Sequence, residues 1–464
     1  MTRTLAATRA LRSLTALLTA HVVSQTGNVV TLFAVPFYVL ATGGTGIEVG
    51  TAAFFATAPV IIGGPLGGVV VDRIGYRRAS ILADLISGAT VLAIPVVALT
   101  IGLPFWGLLA LVFLSGLLDT PGQTARRVLL PAFSADAHVR LERSVGFLDG
   151  AERLSRLLGA PLGGLLIAGI GPLNALFVNA GTFALSAIIT WLFVARPVVG
   201  ERMPDAADSP ANNGYWSELA EGFRFVTREP LLRAVVLLVL VTNVFDAARG
   251  SSLLPLYAHD SLGGAAAFGV LVAVMGGGAL LGTVVFGFFA HRLPRRVTFS
   301  VCFALAGGPS LFAFAAGLPI VWLIAATALS GVAAGAINPI LGTVELERVP
   351  EGMRARVFGL INAGAWAGVP AGALLGGIGA DTIGLQASFF IIGVLYVIVT
   401  LLPLGIPVFR EMEPRPNPQP APAVEGAACR NRRGSTGNTG STGGVVSGTA
   451  GGAARGAVSE ERDR

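Results

Sequence analysis

Two charged residues inside a long apolar segment are the first candidates for chemistry in this sequence. Asp246 and Arg249 follow about twelve apolar residues, which places them near the middle of a membrane-spanning helix. A charged side chain in hydrocarbon is costly and indicates a functional site by default. Because positions i and i+3 share a helix face, the arginine can neutralise the carboxylate and compete with a proton for it. We expect proton coupling or recognition of a charged substrate group, the alternative being an inert pair facing a cavity.

A second set of charged residues lies near one end of the apolar segments. Asp84, Asp119 and Arg153 belong to the third, fourth and fifth segments. The fifth segment carries three further charged residues, Asp149, Glu152 and Arg156. Such groups form either a network that rearranges when the protein changes conformation or a static stabilising cluster. The sequence leaves both interpretations open.

Amide and aromatic side chains within the apolar segments are candidates for a ligand pocket, because they suit amphipathic ligands in a central cavity. The candidate pocket residues are Gln25, Asn28, Phe33, Tyr38, Asn243, Phe245, Asn362 and Trp366. Aromatic residues that face lipid or pack between helices produce the same pattern, so the pocket is a hypothesis.

The composition explains what must position these residues. The 464 residues are 53% hydrophobic and 12% charged, with a mean hydropathy of +0.73, whereas a soluble domain carries about 25% charged residues. The chain is therefore a polytopic, all-α membrane protein. The two cysteines and four histidines are scattered along the chain and predict no metal site. The sequence also contains no nucleophile–base set and no phosphate loop, so we expect neither an enzyme nor a cofactor.

Twelve apolar segments are long enough to span a bilayer, which needs about 20 residues per helix. They are 14–40, 49–71, 79–101, 104–122, 145–169, 173–195, 232–257, 265–290, 297–317, 319–342, 357–380 and 387–409. Arginines occur in alternate loops, including Arg126 and Arg127 after the fourth segment, and the opposite loops have none. Positive residues favour the cytoplasmic side, so we expect both termini in the cytoplasm, and loop placement explains the net charge of +6 without nucleic acid.

The chain repeats itself. Shifting it by 219 residues places the first four segments on segments seven to ten, and a shift of 213 aligns the region after Arg143 with that after Arg356. Two parallel six-helix halves are the expected result. The predicted divisions are an N-terminal half (1–195), a cytoplasmic linker with an amphipathic helix (196–231), a C-terminal half (232–410) and a disordered cytoplasmic tail (411–464).

The end of the second segment and the loop after it carry the sequence GGPLGGVVVDRIGYRR, from Gly63 to Arg78. Small residues, then Asp-Arg, a turn glycine and two arginines resemble the loop between helices 2 and 3 of the major facilitator superfamily of transporters. The resemblance implies that Asp72 and Arg73 act in gating rather than as substrate ligands. Together with them, the candidate gating residues of an inner charge network are Arg77, Asp84, Asp119 and Arg153. Signalling of topology by the arginines is the simpler alternative.

The fifth segment contains GAPLGG, similar to the helix 5 signature of drug exporters in the superfamily but with its proline one place later. Gly159, Pro161, Gly163 and Gly164, with Pro370 in the eleventh segment, are expected to pack helices closely or to bend them at a moving interface. The arginine that such exporters often carry in helix 4 is replaced by Val112, which weakens the usual assignment of a proton relay.

The whole layout, from about residue 10 to 410, resembles the superfamily, and SQTGN with GAPLGG resembles its bacterial drug, macrolide and enterobactin efflux branch. The resemblance implies a monomeric exporter of amphipathic small molecules in the bacterial inner membrane, working by proton antiport and alternating access. A dedicated siderophore or metabolite exporter, or an importer, is the alternative, and a non-transporting scaffold or sensor a more distant one.

Overall fold

The computed structural model describes residues 2–195, 215–350 and 353–413, and in these ranges the chain is helical and contains no β-strand. The predicted disordered tail, apart from its first residues, and most of the predicted linker lie outside the described residues. So do the side chains of some helical residues, including Asp72, Arg73, Asp149 and Arg153.

Six long helices form the first half of the described chain. They are α1 (Thr2–Ala41), α2 (Gly46–Ile74), α3 (Tyr76–Thr100), α4 (Phe105–Asp136), α5 (Leu141–Ile170) and α6 (Pro172–Phe193). The fourth helix continues fourteen residues beyond the end of the predicted segment 104–122, because Arg126 and Arg127 continue the helix instead of forming a loop. This difference changes the environment of Arg126 completely.

The second half repeats this order with interrupted helices. After α7 (Tyr215–Arg228), its elements are α8 (Pro230–Ala247), a π-helical segment (Ala248–Leu253), α9 (Leu254–Ser261), α10 (Ala265–Phe289), a 3₁₀ turn (Ala290–Arg292), α11 (Arg295–Ala315), α12 (Ile320–Ala334), α13 (Ile337–Arg348), α14 (Arg354–Trp366), α15 (Val369–Ile383), α16 (Leu385–Gly405) and a final 3₁₀ segment (Pro407–Met412).

The helices have the length and composition of membrane spans. Eleven segments within the described residues are long and apolar enough to cross a bilayer, with α8–α9, α12–α13 and α14–α15 each serving as one interrupted span. The 29-residue α2, between the first and second of these, completes the twelve. The links are short: single glycines with left-handed backbone, Gly171 (φ 84°) and Gly384 (φ 88°), join α5 to α6 and α15 to α16. These two glycines are 213 residues apart.

Helix pairing follows the internal repeat. In the first half α1 packs against α5 and α6, α2 against α4, and α3 against α4 and α6. In the second half α8 packs against α14 and α15, α10 against α12, and α11 against α12 and α16. The halves meet along two seams, α2 with α15 and α5 with α10. The fold is therefore two pseudo-symmetric six-helix halves.

Glycines make both seams backbone-to-backbone contacts. A Cβ atom on Gly50 would lie 2.8 Å from the Ala373 carbonyl oxygen, and one on Gly164 would lie 2.6 Å from that of Ala265. Gly50 faces Gly377 across the first seam, and Gly164 faces Gly269 across the second. Small residues allow such close helix contact. Both seams lie toward the helix ends joined by residues 42–45, 101–104, 171, 262–264, 316–319 and 384, which we call the arginine-free side.

Candidate functional site

Asp246 and Arg249 form an ion pair near the middle of the Pro230–Ser261 span. Arg249 Nη2 lies 3.5 Å from Asp246 Oδ1, as the i, i+3 spacing predicts. The aspartate side chain is 39% exposed and the arginine side chain 14% exposed. The arginine belongs to the π-helical segment that begins at Ala248, a helix distortion that is common at functional sites.

Two other helices of the same half hold this pair. The Arg249 guanidinium donates to Ser310 Oγ on α11 at 3.0 Å, and the Tyr396 hydroxyl on α16 donates a long hydrogen bond, 3.5 Å, to Asp246 Oδ2. The Tyr396 ring is buried and lies 6.2 Å from the ring of Phe245. Each member of the pair therefore has a neutral polar partner, so the two charges can separate without either losing every contact.

The predicted pocket residues differ in their burial and in their contacts. Asn243 donates to the Ala365 carbonyl at 2.7 Å and thus joins α8 to α14. Phe33 is buried, and its ring lies 4.8 Å from that of Phe268, which is a packing contact between halves. Gln25 and Tyr38 are half-buried and Asn362 is exposed.

Trp366 forms the most informative contact of the predicted pocket. The Arg156 guanidinium of α5 lies 5.6 Å from the centroid of its ring, so a cation–π contact joins the two halves. Trp366 is 41% exposed, and it ends α14 where the eleventh span is interrupted. An exposed indole beside a guanidinium offers an aromatic surface to a ligand.

The first half holds a different charged cluster. Arg126 on α4 donates to Asp84 Oδ1 on α3 at 2.7 Å, and both side chains are 0% exposed. Asp84 Oδ2 accepts from Ser186 on α6 at 2.7 Å, and Arg126 also contacts that hydroxyl at 3.3 Å. The Ser186 hydroxyl is 3.1 Å from the Ala20 carbonyl of α1. Four helices thus meet at one buried ion pair.

Asp119 lies at the edge of this cluster and was predicted with it. Its Oδ2 accepts from Asn28 at 2.8 Å and from Gln123 at 2.6 Å. Its Oδ1 is 4.0 Å from Arg126 Nη2 and is buried without a hydrogen-bond partner. The predicted pocket residue Asn28 therefore serves this cluster by binding Asp119.

A third group lies nearby on α1, α4 and α5. Glu152 Oε1 lies 2.5 Å from Arg127 Nη2 and 3.4 Å from Nε2 of the fully buried His21. Glu152, one of the charged residues noted on the fifth segment, therefore has both of its partners within the first half. The side chains of Asp149 and Arg153 lie outside the described residues.

The gating residues expected from the loop motif are only partly described. The side chains of Asp72 and Arg73 lie outside the described residues, and their role stays a prediction. Arg77 binds the end of α6, donating to the carbonyl oxygens of Val194 at 2.8 Å and Trp191 at 2.5 Å. Its repeat mate Arg296 binds the end of α16 through the carbonyls of Pro403 and Leu404. These contacts hold one end of each half together.

The predicted helix-packing residues contact different helices. Gly159 faces Val29, and Gly163 faces Val30 and Phe33; all three of these residues lie on α1. Gly164 and Pro161 face Gly269 across the α5–α10 seam. Pro370 is the second residue of α15, just after the interruption of its span. The repeat partner of GAPLGG is the run GALLGG from Gly372 to Gly377, a match at offset 213 that the sequence alone could have revealed.

Four functional candidates were not identified from the sequence: Arg126, Ser310, Tyr396 and His21. Arg126 was assigned to a loop, and the polar residues inside apolar segments give no periodic signal. Within the described residues no three His, Cys, Asp or Glu side chains are grouped as a metal site would require.

Comparison with known proteins agrees with this architecture. The sequence profile of the Major Facilitator Superfamily matches residues 17–265 and 244–450. The chain is 30% identical over 401 residues to the multidrug efflux pump Tap of Mycolicibacterium fortuitum, covering 86% of this chain and 96% of that protein. It is 22% identical over 379 residues to macrolide efflux protein A of Streptococcus pyogenes, covering 80% and 89%.

Among solved structures, the crystal structure of the nucleoside transporter NupG superposes with a TM-score of 0.65 at 13% identity, covering 85% of this chain and 98% of that one. At this identity the similarity concerns the fold alone. The protein belongs to the major facilitator superfamily, as the motif from Gly63 to Arg78 and the twelve spans predicted. It is a multi-pass membrane protein of a transporter family.

Proposed function

We propose that this protein exports amphipathic small molecules, including drugs, from bacteria by proton antiport, and that it is not an enzyme. The Asp246–Arg249 pair is the observation that carries the proposal. A carboxylate that is 39% exposed near the middle of a span must meet water rather than lipid, because a charge facing hydrocarbon is too costly. Such a carboxylate can bind a proton from one side of the membrane and release it to the other.

Arg249 supplies the link between proton and cargo. While Asp246 is ionised, the guanidinium pairs with it; when a proton binds, the guanidinium keeps Ser310 and loses its counter-charge. A cationic amphipathic substrate competes with the arginine for the same carboxylate. Proton and substrate are then alternative ligands of Asp246, which is the condition for antiport.

The similarity to named efflux pumps supports export and breadth of substrate. One relative at 30% identity is named a multidrug efflux pump and another a macrolide efflux protein. The half-buried or exposed residues Gln25, Tyr38, Asn362 and Trp366 are proposed to line the substrate path. Phe245, beside Tyr396, completes its wall next to the charged pair.

We place the protein in the inner membrane as a monomer with both termini in the cytoplasm. Arginines mark one side of the membrane, and the six links on the arginine-free side contain none. The divisions 1–195, 196–231, 232–410 and 411–464 then give two halves, a cytoplasmic linker and a tail. Rocking of the halves about the two glycine seams supplies alternating access. We keep Asp72, Arg73 and Arg153 as proposed gating residues. Arg77, Asp84 and Asp119, also predicted to act in gating, bind partners within the first half and are instead proposed to hold it together.

The test is flux in liposomes with an imposed pH gradient, using a panel of cationic dyes and macrolides. Asp246→Asn should abolish gradient-driven flux while eluting as a folded, monodisperse protein. Asp260→Asn is the matched control, since Asp260 is exposed and contacts His259 at the end of the same span. Flux retained by Asp246→Asn would remove Asp246 from the mechanism. A folded parent that moves none of these compounds would contradict broad export.

A further inference from the structure

A carboxylate connects the two halves on the arginine-free side. Asp381, near the end of α15, accepts from the backbone N–H of Gly46 at 2.8 Å through Oδ1 and from that of Ile47 at 2.7 Å through Oδ2. Gly46 and Ile47 are the first residues of α2, in the other half. The aspartate therefore caps a helix that begins more than three hundred residues earlier in the sequence.

The cap fills a gap in the hydrogen bonding of α2. A helix begins with N–H groups that have no partner inside the helix. Thr45 and Glu48 form a capping box in which the Thr45 hydroxyl serves the Glu48 N–H and the Glu48 carboxylate serves the Thr45 N–H. The N–H groups of Gly46 and Ile47 remain, and Asp381 accepts from both. A negative charge at a helix N-terminus is additionally favourable.

The backbones of α2 and α15 lie close together at this contact. A Cβ on Gly46 would lie 2.5 Å from Asp381 Oδ1 and 3.0 Å from the Gly377 carbonyl oxygen. The two helices thus touch along the seam that ends at Asp381. If the halves separate on this side, α2 moves away from α15, and an aspartate side chain is too short to keep both bonds.

Among the described residues, the second seam has no equivalent carboxylate. The repeat mate of Asp381 is Ala168 on α5, and the helix it would cap begins at Ala265. Since the glycine contacts are alike in both seams, Asp381 is the element that distinguishes them. Packing therefore holds both seams together, and Asp381 adds an electrostatic contact to the α2–α15 seam.

We propose that Asp381 is a positioning residue that holds the arginine-free side closed, so that breaking its two bonds accompanies each opening of that side. This inference rests on alternating access in the proposed function. It predicts that neutralising the carboxylate shifts the population toward the open arginine-free side without altering the Asp246 site.

The shift can be measured as a distance distribution. Spin labels are placed at Ile101→Cys and Val321→Cys, which are 83% and 70% exposed on this side in opposite halves. The full-length background carries Cys302→Ala and Cys429→Ala, and the protein is studied in nanodiscs without substrate. Asp381→Asn should raise the ratio of long to short distances about tenfold, the effect of losing one charge-assisted contact. The control Asp260→Asn removes a charge on the same side and should leave the ratio unchanged.

Equal ratios in Asp381→Asn and Asp260→Asn would overturn the proposal, as would a lower melting temperature of Asp381→Asn with no change in ratio. If Asp381→Asn does not elute as a monodisperse protein, Asp381→Ser is measured in the same way and judged by the same ratio. The measurement needs no substrate. A shifted ratio in a protein that transports nothing would therefore contradict the proposed function and leave the role of Asp381 in place.

Discussion

Among the described residues of the membrane-spanning helices, two arginine–aspartate pairs have N–O distances of 3.5 Å or less, and these two pairs differ in distance, burial and surroundings. The pair of the first half, Asp84 and Arg126, joins two helices at 2.7 Å with both side chains fully buried. The pair of the second half, Asp246 and Arg249, lies within one span at 3.5 Å, with the carboxylate 39% exposed. The first is surrounded by hydrogen-bonding partners from four helices, and the second borders open space.

This difference indicates two uses of the same chemistry. Two buried charges with short, complete hydrogen bonding are expensive to separate, since each would be left unpaired in a low-dielectric interior. A partly exposed pair can separate, because water solvates whichever charge is released. The Asp84–Arg126 pair is suited to holding α1, α3, α4 and α6 as one body, and the Asp246–Arg249 pair to exchanging partners.

The internal repeat makes the comparison sharper, because neither pair has a mate in the other half. At offset 219, Asp84 corresponds to Phe303 and Arg126 to Glu345, while Asp246 corresponds to Gly27. The backbone architecture is duplicated and the charges are not. We infer that the first half acts as the more rigid partner and that the second half carries the exchangeable site.

The largest expected effect is that of Arg126→Met. The substitution leaves Asp84 buried without its counter-charge and removes the nearest cation from Asp119, so we expect a loss of about 3–5 kcal/mol of stability. The apparent melting temperature of the purified protein in detergent measures it. A melting temperature within error of the parent would contradict the assignment of this pair as a structural element.

A smaller loss is expected when both partners are removed together. The double variant Asp84→Leu/Arg126→Met has no charge at either position, so neither leaves an unpaired partner at the other. The Ser186 hydroxyl can donate to the Ala20 carbonyl oxygen, 3.1 Å away. The double variant should regain about 2–3 kcal/mol relative to Arg126→Met alone. Additive losses in the double-mutant cycle would show that the two side chains are not coupled.

The spans, the twofold repeat and the Asp246–Arg249 contact were predictable because each is a local or periodic signal. Hydropathy marks the spans, glycine spacing marks the repeat, and an i, i+3 pair lies on one helix face by construction. The superfamily was predictable from the Gly63–Arg78 motif. These features need no knowledge of how the helices pack against each other.

The partners of these residues were not predictable, because they depend on packing between distant helices. Arg126 was assigned to a loop since two adjacent arginines after an apolar segment are typical of a membrane boundary, yet α4 continues to Asp136. Tyr396 and Ser310 are single polar residues in apolar helices, and only the fold places them against Asp246 and Arg249. Asp381 likewise reads as a charge at a helix end until the halves are assembled.

Arg249→Met tests the exchangeable pair with a smaller expected effect on stability. Asp246 keeps access to water, so the loss should be below about 1 kcal/mol, in contrast to Arg126→Met. Gradient-driven flux should fall, and the pH of half-maximal flux should move upward, because a proton no longer competes with a guanidinium for the carboxylate. The pH profile of dye flux in liposomes checks both. A large loss of stability with an unchanged pH profile would mean that this pair, too, is structural.

The smallest effect is expected for Tyr396→Phe, which removes the long hydrogen bond to Asp246 and keeps the ring. The ring packs against Phe303 and Phe245, with centroids 6.5 Å and 6.2 Å away, so the melting temperature should match the parent. Tyr257→Phe is the control, because Tyr257 is equally buried and packs against Phe314 and Phe389. Only Tyr396→Phe should change the pH profile of flux, by a modest amount, since the hydroxyl contacts the carboxylate that we propose exchanges partners. If both substitutions give the parent profile, Arg249 and water alone control protonation of Asp246, and the exchangeable site is confined to a single span.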